Sequence, residues 1–144
     1  MVSEPYKWVT PMAKAGTSLF TFHIESTMPQ EGGVSTLISS IKDAGMKVGI
    51  SIKPGTSIES IEPYIQDVDM ILIMTVEPGF SGQSFMGDMM PKVQALREKY
   101  PNLDIQVDGG VSPKTVDAAT EAGANVVVAA RLVIIIIIIV FKCL

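Results

Sequence analysis

Cysteine is nearly missing from this chain of 144 residues, which holds one, Cys143. No internal disulfide can form, so a packed core must supply the stability, as suits a reducing compartment. An excess of positive charge is missing too. Eleven Lys and Arg stand against fifteen Asp and Glu, for a net charge of −4. Without a basic stripe there is no footprint for nucleic acid. The opening "MVSEPYKW" has no basic segment followed by an apolar one, so no signal peptide is expected. There is no Asn-x-Ser/Thr sequon, and Cys143 lies too near the end for a prenylation box. Apolar runs long enough for a bilayer are lacking. Leu132–Phe141 is ten residues, short of the roughly 18 that read as a span, so no membrane partner is expected. That run is mostly β-branched, uncharged and free of proline, the composition of an aggregation-prone strand.

What is present is a repeated phrase. "AKAGTSLFTF", "KDAGMKVGI" and "TEAGANVVV" each read as a helix closing on a glycine (Gly16, Gly45, Gly123) and then a strand. Glycine past a helix end tolerates the left-handed conformation that satisfies the last carbonyls. Apolar strands are expected from near residues 19, 47, 69, 103 and 125. They read as continuous runs, as in parallel strands covered on both faces. Val34, Leu37, Ile38 and Ile41 share a helical face. Thr56 and Glu59 suggest a capping box for a helix carrying Ile58, Ile61 and Ile65. Ser112 and Pro113 suggest an N-cap and first-turn proline for a helix through Ala122. The alternation is that of an α/β fold with parallel strands. "KPGTS", "EPGFSGQ" and "DGGVS" follow strands, at the end where both barrels and open sheets place their sites. None has the G-x-G-x-x-G spacing of a dinucleotide fold. Periodicity leaves barrel and open sheet unresolved.

The set "TFHIE", "GMKVGISIKPGTS", "MTVEPGFSGQSFM", "MMPKV" and "VDGGV" resembles the ribulose-phosphate 3-epimerase family, from Val2 to about Val128. The resemblance implies a TIM barrel acting in the pentose phosphate pathway, in the cytoplasm. Its substrate would be a small sugar phosphate, D-ribulose 5-phosphate, converted reversibly to D-xylulose 5-phosphate. It also implies one divalent metal ion: Zn, Fe, Mn or Co. Epimerisation beside a carbonyl needs an acid–base group on each face of the carbon and a way to hold enediolate charge. The family uses two aspartates that also ligate the metal, and Asp108 matches the second of them. Gly109 and Gly110 would let backbone N–H groups approach the substrate phosphate, with no Cβ in the way. Gly79, Phe80, Ser81 and Gly82 match a substrate-binding loop that closes over the site. Met74 matches a pocket methionine, although a core methionine fits the position equally. The family's metal histidines lie on earlier strands, so His23 reads as a hydrogen-bonded barrel histidine. Lys53 reads as a turn-flanking residue. Trp8, Val9 and Met12 read as ordinary core packing.

By the same resemblance, "MVSEPYKW" follows the family's third strand. The metal histidines, the first catalytic aspartate and a substrate-binding serine would then belong to strands not represented here. Ala130 and Arg131 stand near the positions of the family's Gly-Ser phosphate loop. The expectation is a partial barrel of about five βα units, strands four to eight of a fold that usually takes about 250 residues. It would occupy residues 1–131 and be followed by an aberrant apolar tail, 132–144. Such a chain is expected to be inactive alone and not to retain the metal. It would work, if at all, as a homodimer or docked on a full-length epimerase subunit.

Overall fold

The computed structural model describes residues 1–29, 31–80 and 82–129. Ser81, Ala130, Arg131 and the Leu132–Phe141 run lie outside the described residues. Five strands, β1 (Leu19–His23), β2 (Lys47–Ile52), β3 (Met70–Met74), β4 (Asp104–Asp108) and β5 (Val126–Val128), start within a residue of where the apolar runs place them. They form one parallel sheet in the order β1-β2-β3-β4-β5. The helices are α1 (Val9–Lys14), α2 (Gly33–Asp43), α3 (Met90–Lys99) and α4 (Val116–Glu121), with short 3-10 turns between them.

The strand order decides between barrel and open sheet. Parallel crossovers are right-handed. A chain that always steps to the same side therefore lays every crossover helix on one face, whereas a doubly wound sheet reverses direction and covers both. Here one core joins Leu37, Ile38 and Ile41 of α2, Val93 and Leu96 of α3 and Ala119 of α4 to Phe22, Ile50, Ile73, Ile105 and Val107 of the strands. Leu72, Met74 and Val76 form a separate cluster. The architecture is a sector of a (β/α) barrel, helices outside.

Several expectations change in detail. β2 and β3 are buried on both faces, but β1 and β4 alternate: Thr21 is exposed between Phe20 and Phe22, and Ile105 and Val107 are buried between partly exposed neighbours. On β1 and β4 the buried residues are those that join the helix-covered core. The segment after β2 is two 3-10 turns, Ile58–Ser60 and Glu62–Asp67, rather than an α-helix, and Ser57 caps the first. Thr56 instead donates its hydroxyl to Glu25. The helix before β5 starts at Val116, because Ser112 and Thr115 close a turn first: the Ser112 N–H donates to Thr115 Oγ1 at 2.9 Å. Val9 is buried as expected, whereas Trp8 and Met12 keep about two-fifths of their surface exposed, 44% and 37%. Gly16, Gly45 and Gly123 all take positive φ after their helices.

The N-terminal end of the sheet is clamped by Arg97. Its guanidinium donates to the carbonyls of Gly123 (2.9 Å), Pro101 (2.7 Å) and Leu103 (2.8 Å), and to Asn125 Oδ1. Asn125 Oδ1 also accepts from the Ile105 N–H at 2.7 Å. These bonds fix the approach to β4 and β5, and so the axial position of what β4 carries at its other end.

Candidate active site

Asp108 is the last residue of β4. Alternation along the strand sends Val107 into the helix-covered core and Asp108 to the opposite face, beside its register partner Met74 of β3. Its carboxylate is half-buried. Burial pushes its pKa above the ordinary aspartate value, and the nearby His23 pulls it part of the way back. Two cavities meet at Asp108 and Met74. One, of about 530 Å³, extends past Leu72 to Ser51, His23 and Thr21. The other, of about 380 Å³, lies under the loop after β3 and is bounded by Val76, Phe80, Gly82, Gly110 and Ser112.

Two glycines must follow Asp108 for a reason of packing. Gly109 has φ +122°, and a Cβ there would strike the Val76 side chain. Gly110 has φ +65°, and its Cβ would fall 2.7 Å from the Phe85 Cα. The loops after β3 and β4 are thus pressed together, and only residues without side chains permit it. Thr75 ties the same two loops. Fully buried, it donates its hydroxyl to the Gly109 carbonyl at 2.6 Å, and its N–H donates to the Asp108 carbonyl at 2.8 Å. Its own carbonyl accepts from the Met86 N–H at 2.9 Å.

Within "EPGFSGQ", Gln83 Nε2 donates to the carbonyls of Glu77 (2.6 Å) and Phe80 (3.1 Å), which draws the loop into a ring. Gly79 and Gly82 take positive φ. Phe80 is 76% exposed at the rim of the second cavity. The structure therefore brings Met74, Gly79, Phe80, Gly82, Asp108, Gly109 and Gly110 around one opening. Ser81, of the same loop, is outside the described residues. Met74 is both a core and a pocket residue, buried with Leu72 and Val76 yet lining both cavities.

On the far side of the first cavity, Glu25 is a small hub. One oxygen accepts from the Lys53 N–H (2.8 Å) and the Thr56 hydroxyl, and the other faces His23 Nδ1 at 3.2 Å. Burial opposes its ionisation. The hydrogen bonds from Lys53, Thr56, its own N–H and His23 outweigh that, so its pKa lies below the ordinary glutamate value. His23 is hydrogen-bonded, as expected, and Lys53 contributes through its backbone.

Sequence reasoning did not single out Thr75, Val76, Phe85, Glu25, Ser51 or Gln83. Only Thr75 carried a signal, a hydroxyl just past an all-apolar strand; the others act through contacts between distant loops. Among the described residues no three His, Cys, Asp or Glu side chains cluster closely enough to hold a metal ion. Asp108 would supply one carboxylate, and one ligand does not compose a tight site. No helix among the described residues is long and apolar enough to cross a membrane.

Comparison with known sequences follows the same lines. The profile of the family described as "Ribulose-phosphate 3 epimerase family" matches residues 1–134. The chain is 53% identical over 132 residues to "Ribulose-phosphate 3-epimerase, cytoplasmic isoform" of Oryza sativa subsp. japonica, covering 90% of this chain and 57% of that protein. It is 53% identical over 129 residues to the ribulose-phosphate 3-epimerase of Schizosaccharomyces pombe, covering 90% and 55%. To that of Bacillus subtilis it is 37% identical over 134 residues, covering 90% and 60%. The chain thus spans little more than half the length of these relatives.

Proposed function

The chain belongs to the ribulose-phosphate 3-epimerase family, and we propose that it carries one half of an epimerase site, with Asp108 as one of two acid–base groups. The reaction is the reversible conversion of D-ribulose 5-phosphate to D-xylulose 5-phosphate. One group takes the C3 proton, the electrons move into the neighbouring carbonyl as an enediolate, and a group on the other face returns a proton to C3. Asp108 suits one of these roles as base in one direction and acid in the other. The observation that carries this reading is a half-buried carboxylate at the C-terminal end of a barrel strand, facing both cavities, whose pKa burial raises. A more basic carboxyl holds a proton nearer neutral pH, where catalysis works.

The substrate's phosphate would lie in the second cavity. Gly79, Gly82, Gly109 and Gly110 line it with backbone, and among the described residues no Lys or Arg does. Backbone N–H groups can donate there, and they bind phosphate well where no Cβ intervenes. Phe80 and its loop would cover the bound sugar, and Met74 would pack against its carbons. Among the described residues Asp108 is the only carboxylate lining the first cavity, and the second adds only the exposed Glu77. We infer that the second acid–base group comes from elsewhere and that the chain alone does not turn over. A full-length subunit of the same family, or a second copy, would be the partner. The cytoplasmic isoform among the relatives supports a cytoplasmic setting. The described residues do not by themselves make a divalent metal site.

The test places residues 1–129 of this chain between the upstream and downstream parts of the rice relative, which restores the missing strands and the terminal phosphate loop, and follows deuterium from solvent into C3 of the substrate. The chimera should exchange C3 and form xylulose 5-phosphate, while the unmodified chain should do neither. Asp108→Asn in the chimera should cut turnover on the order of 10²–10⁴-fold, the range for a positioned acid–base group. Rapid exchange by the chain alone, or undiminished turnover by the Asn variant, would overturn the reading.

A further inference from the structure

The row of the sheet one step before Asp108 holds an unexplained polar pair. Register runs His23 to Ser51 and Ser51 to Leu72, and the next row on that face holds Met74 and Asp108. His23, Ser51, Leu72, Met74 and Asp108 all line the first cavity. Ser51 is 2% exposed, and its Oγ has no hydrogen-bond partner among the described residues. An orphaned buried hydroxyl is unfavourable, so an apolar residue would be the better choice if packing were the only demand.

Glu25 settles what its neighbour His23 offers. An ionised carboxylate only accepts hydrogen bonds, so Nδ1, at 3.2 Å from Glu25 Oε2, is the donor. In the neutral ring the proton then sits on Nδ1, and Nε2 is left as an acceptor. This is the arrangement by which a carboxylate orients an imidazole for a task at its other nitrogen.

We propose that His23 Nε2 and Ser51 Oγ form a hydroxyl-binding subsite of this cavity, which takes a CHOH unit of a polyhydroxylated ligand. The chemistry selects the group. Nε2 requires a donor, and Ser51 can both donate and accept. A hydroxyl satisfies the pair at once. A phosphate dianion cannot donate to Nε2, and an ammonium cannot accept from Ser51. Leu72 and Met74, on the same face, meet the C–H side of the unit. Glu25 is the positioning residue that sets the tautomer. Identifying the ligand as the sugar phosphate of the epimerase reaction rests on the function proposed above; the subsite itself does not.

The chain has one histidine, so its imidazole nitrogens can be followed by nitrogen-15 NMR in the full chain without assignment ambiguity. The free protein should show the Nδ1–H tautomer, and Glu25→Gln should bring in the Nε2–H form. Ribitol and D-ribulose 5-phosphate should both shift the Nε2 resonance, and inorganic phosphate should not. Ser51→Ala should weaken binding of both polyols by about 5- to 30-fold, as for one lost hydrogen bond, and the same variant should fold because it only removes an unpaired hydroxyl. An unmoved Nε2 resonance with both polyols at any soluble concentration would overturn the proposal. So would an unchanged affinity in Ser51→Ala, or a shift produced by inorganic phosphate alone. If Nε2 responds to the polyols while the chimera fails to exchange C3, the subsite stands and the epimerase reading falls.

Discussion

On the helix-covered face of the sheet, Phe22, Ile50, Ile73 and Val107 are buried against side chains of the helices and turns. On the other face, drawn from the same strands one residue away, stand His23, Ser51, Met74 and Asp108. The first face is wholly apolar there. The second holds an unpartnered hydroxyl, a carboxylate that burial makes harder to ionise, and a histidine tethered to Glu25. The difference shows how one strand can serve stability and chemistry together. Period-two alternation separates them physically, so a polar group on one face does not have to be accommodated by the core on the other. It also shows where the chain accepts unfavourable terms, and such terms gather where a ligand can relieve them.

Moving a carboxylate across the sheet should break the contrast most severely. Val107 and Asp108 are adjacent, yet Val107→Asp would bury an unpaired charge where no solvent reaches. A loss of about 4–5 kcal/mol or more is expected, enough to unfold an ordinary domain or bring it close to unfolding. Urea titration followed by circular dichroism reads this directly, and a cooperative transition near the wild-type midpoint would show that the faces are not distinct.

Next in size is Gly109→Ala. Positive φ and the Val76 contact together should cost about 1–3 kcal/mol and displace the start of the loop after Asp108. Val76→Ala in the same chain should recover the steric part but leave the backbone part. Full recovery would mean that φ +122° carries no strain, and no recovery would mean that the clash is relieved in some other way.

The smallest effects are opposite in sign to each other and belong to the groups around the site. Asp108 has a raised pKa, so the folded chain holds its proton more tightly than the unfolded chain does. Its ionised form therefore lowers stability above the ordinary aspartate range, and acidification removes that cost. Asp108→Asn should raise the Tm slightly at neutral pH, with the gain fading as pH falls through the raised folded pKa and gone below the ordinary aspartate value. Glu25 has a lowered pKa, so its contribution is present above its ordinary value and is lost as pH falls through the folded one. Glu25→Gln should therefore lower the Tm at neutral pH and converge with wild type in acid. Calorimetry across pH on both variants sharpens the comparison; parallel, pH-independent shifts would contradict it.

Much of this was open to inspection in the chain itself. The five strand starts, the glycine helix ends and the apolar face of α2 follow from periodicity and local backbone sterics, which involve neighbours in sequence. Asp108 could be singled out because a carboxylate ending an apolar strand before two glycines is conspicuous, and the wider set of motifs placed it in a family. Where Ser57 displaced Thr56 as a cap, and where α4 began at Val116 rather than beside Pro113, rival hydrogen bonds accepted by Glu25 and Thr115 decided the matter. Propensity does not see those partners.

Barrel sector against open sheet was undecided until strand order put every crossover helix on one face. The packing need for Gly109 and Gly110 likewise rests on Val76 and Phe85, which sit more than twenty residues earlier in the sequence. His23, Ser51 and Asp108 lie on three strands with nothing in their spacing to connect them, and only register and alternation bring them to one cavity. Local sterics and hydrophobic period act over a few residues and can be read from a string of letters. The meeting of loops, the burial that shifts a carboxyl and the loneliness of a hydroxyl are properties of distances between remote segments, and those distances exist only once the sheet has formed.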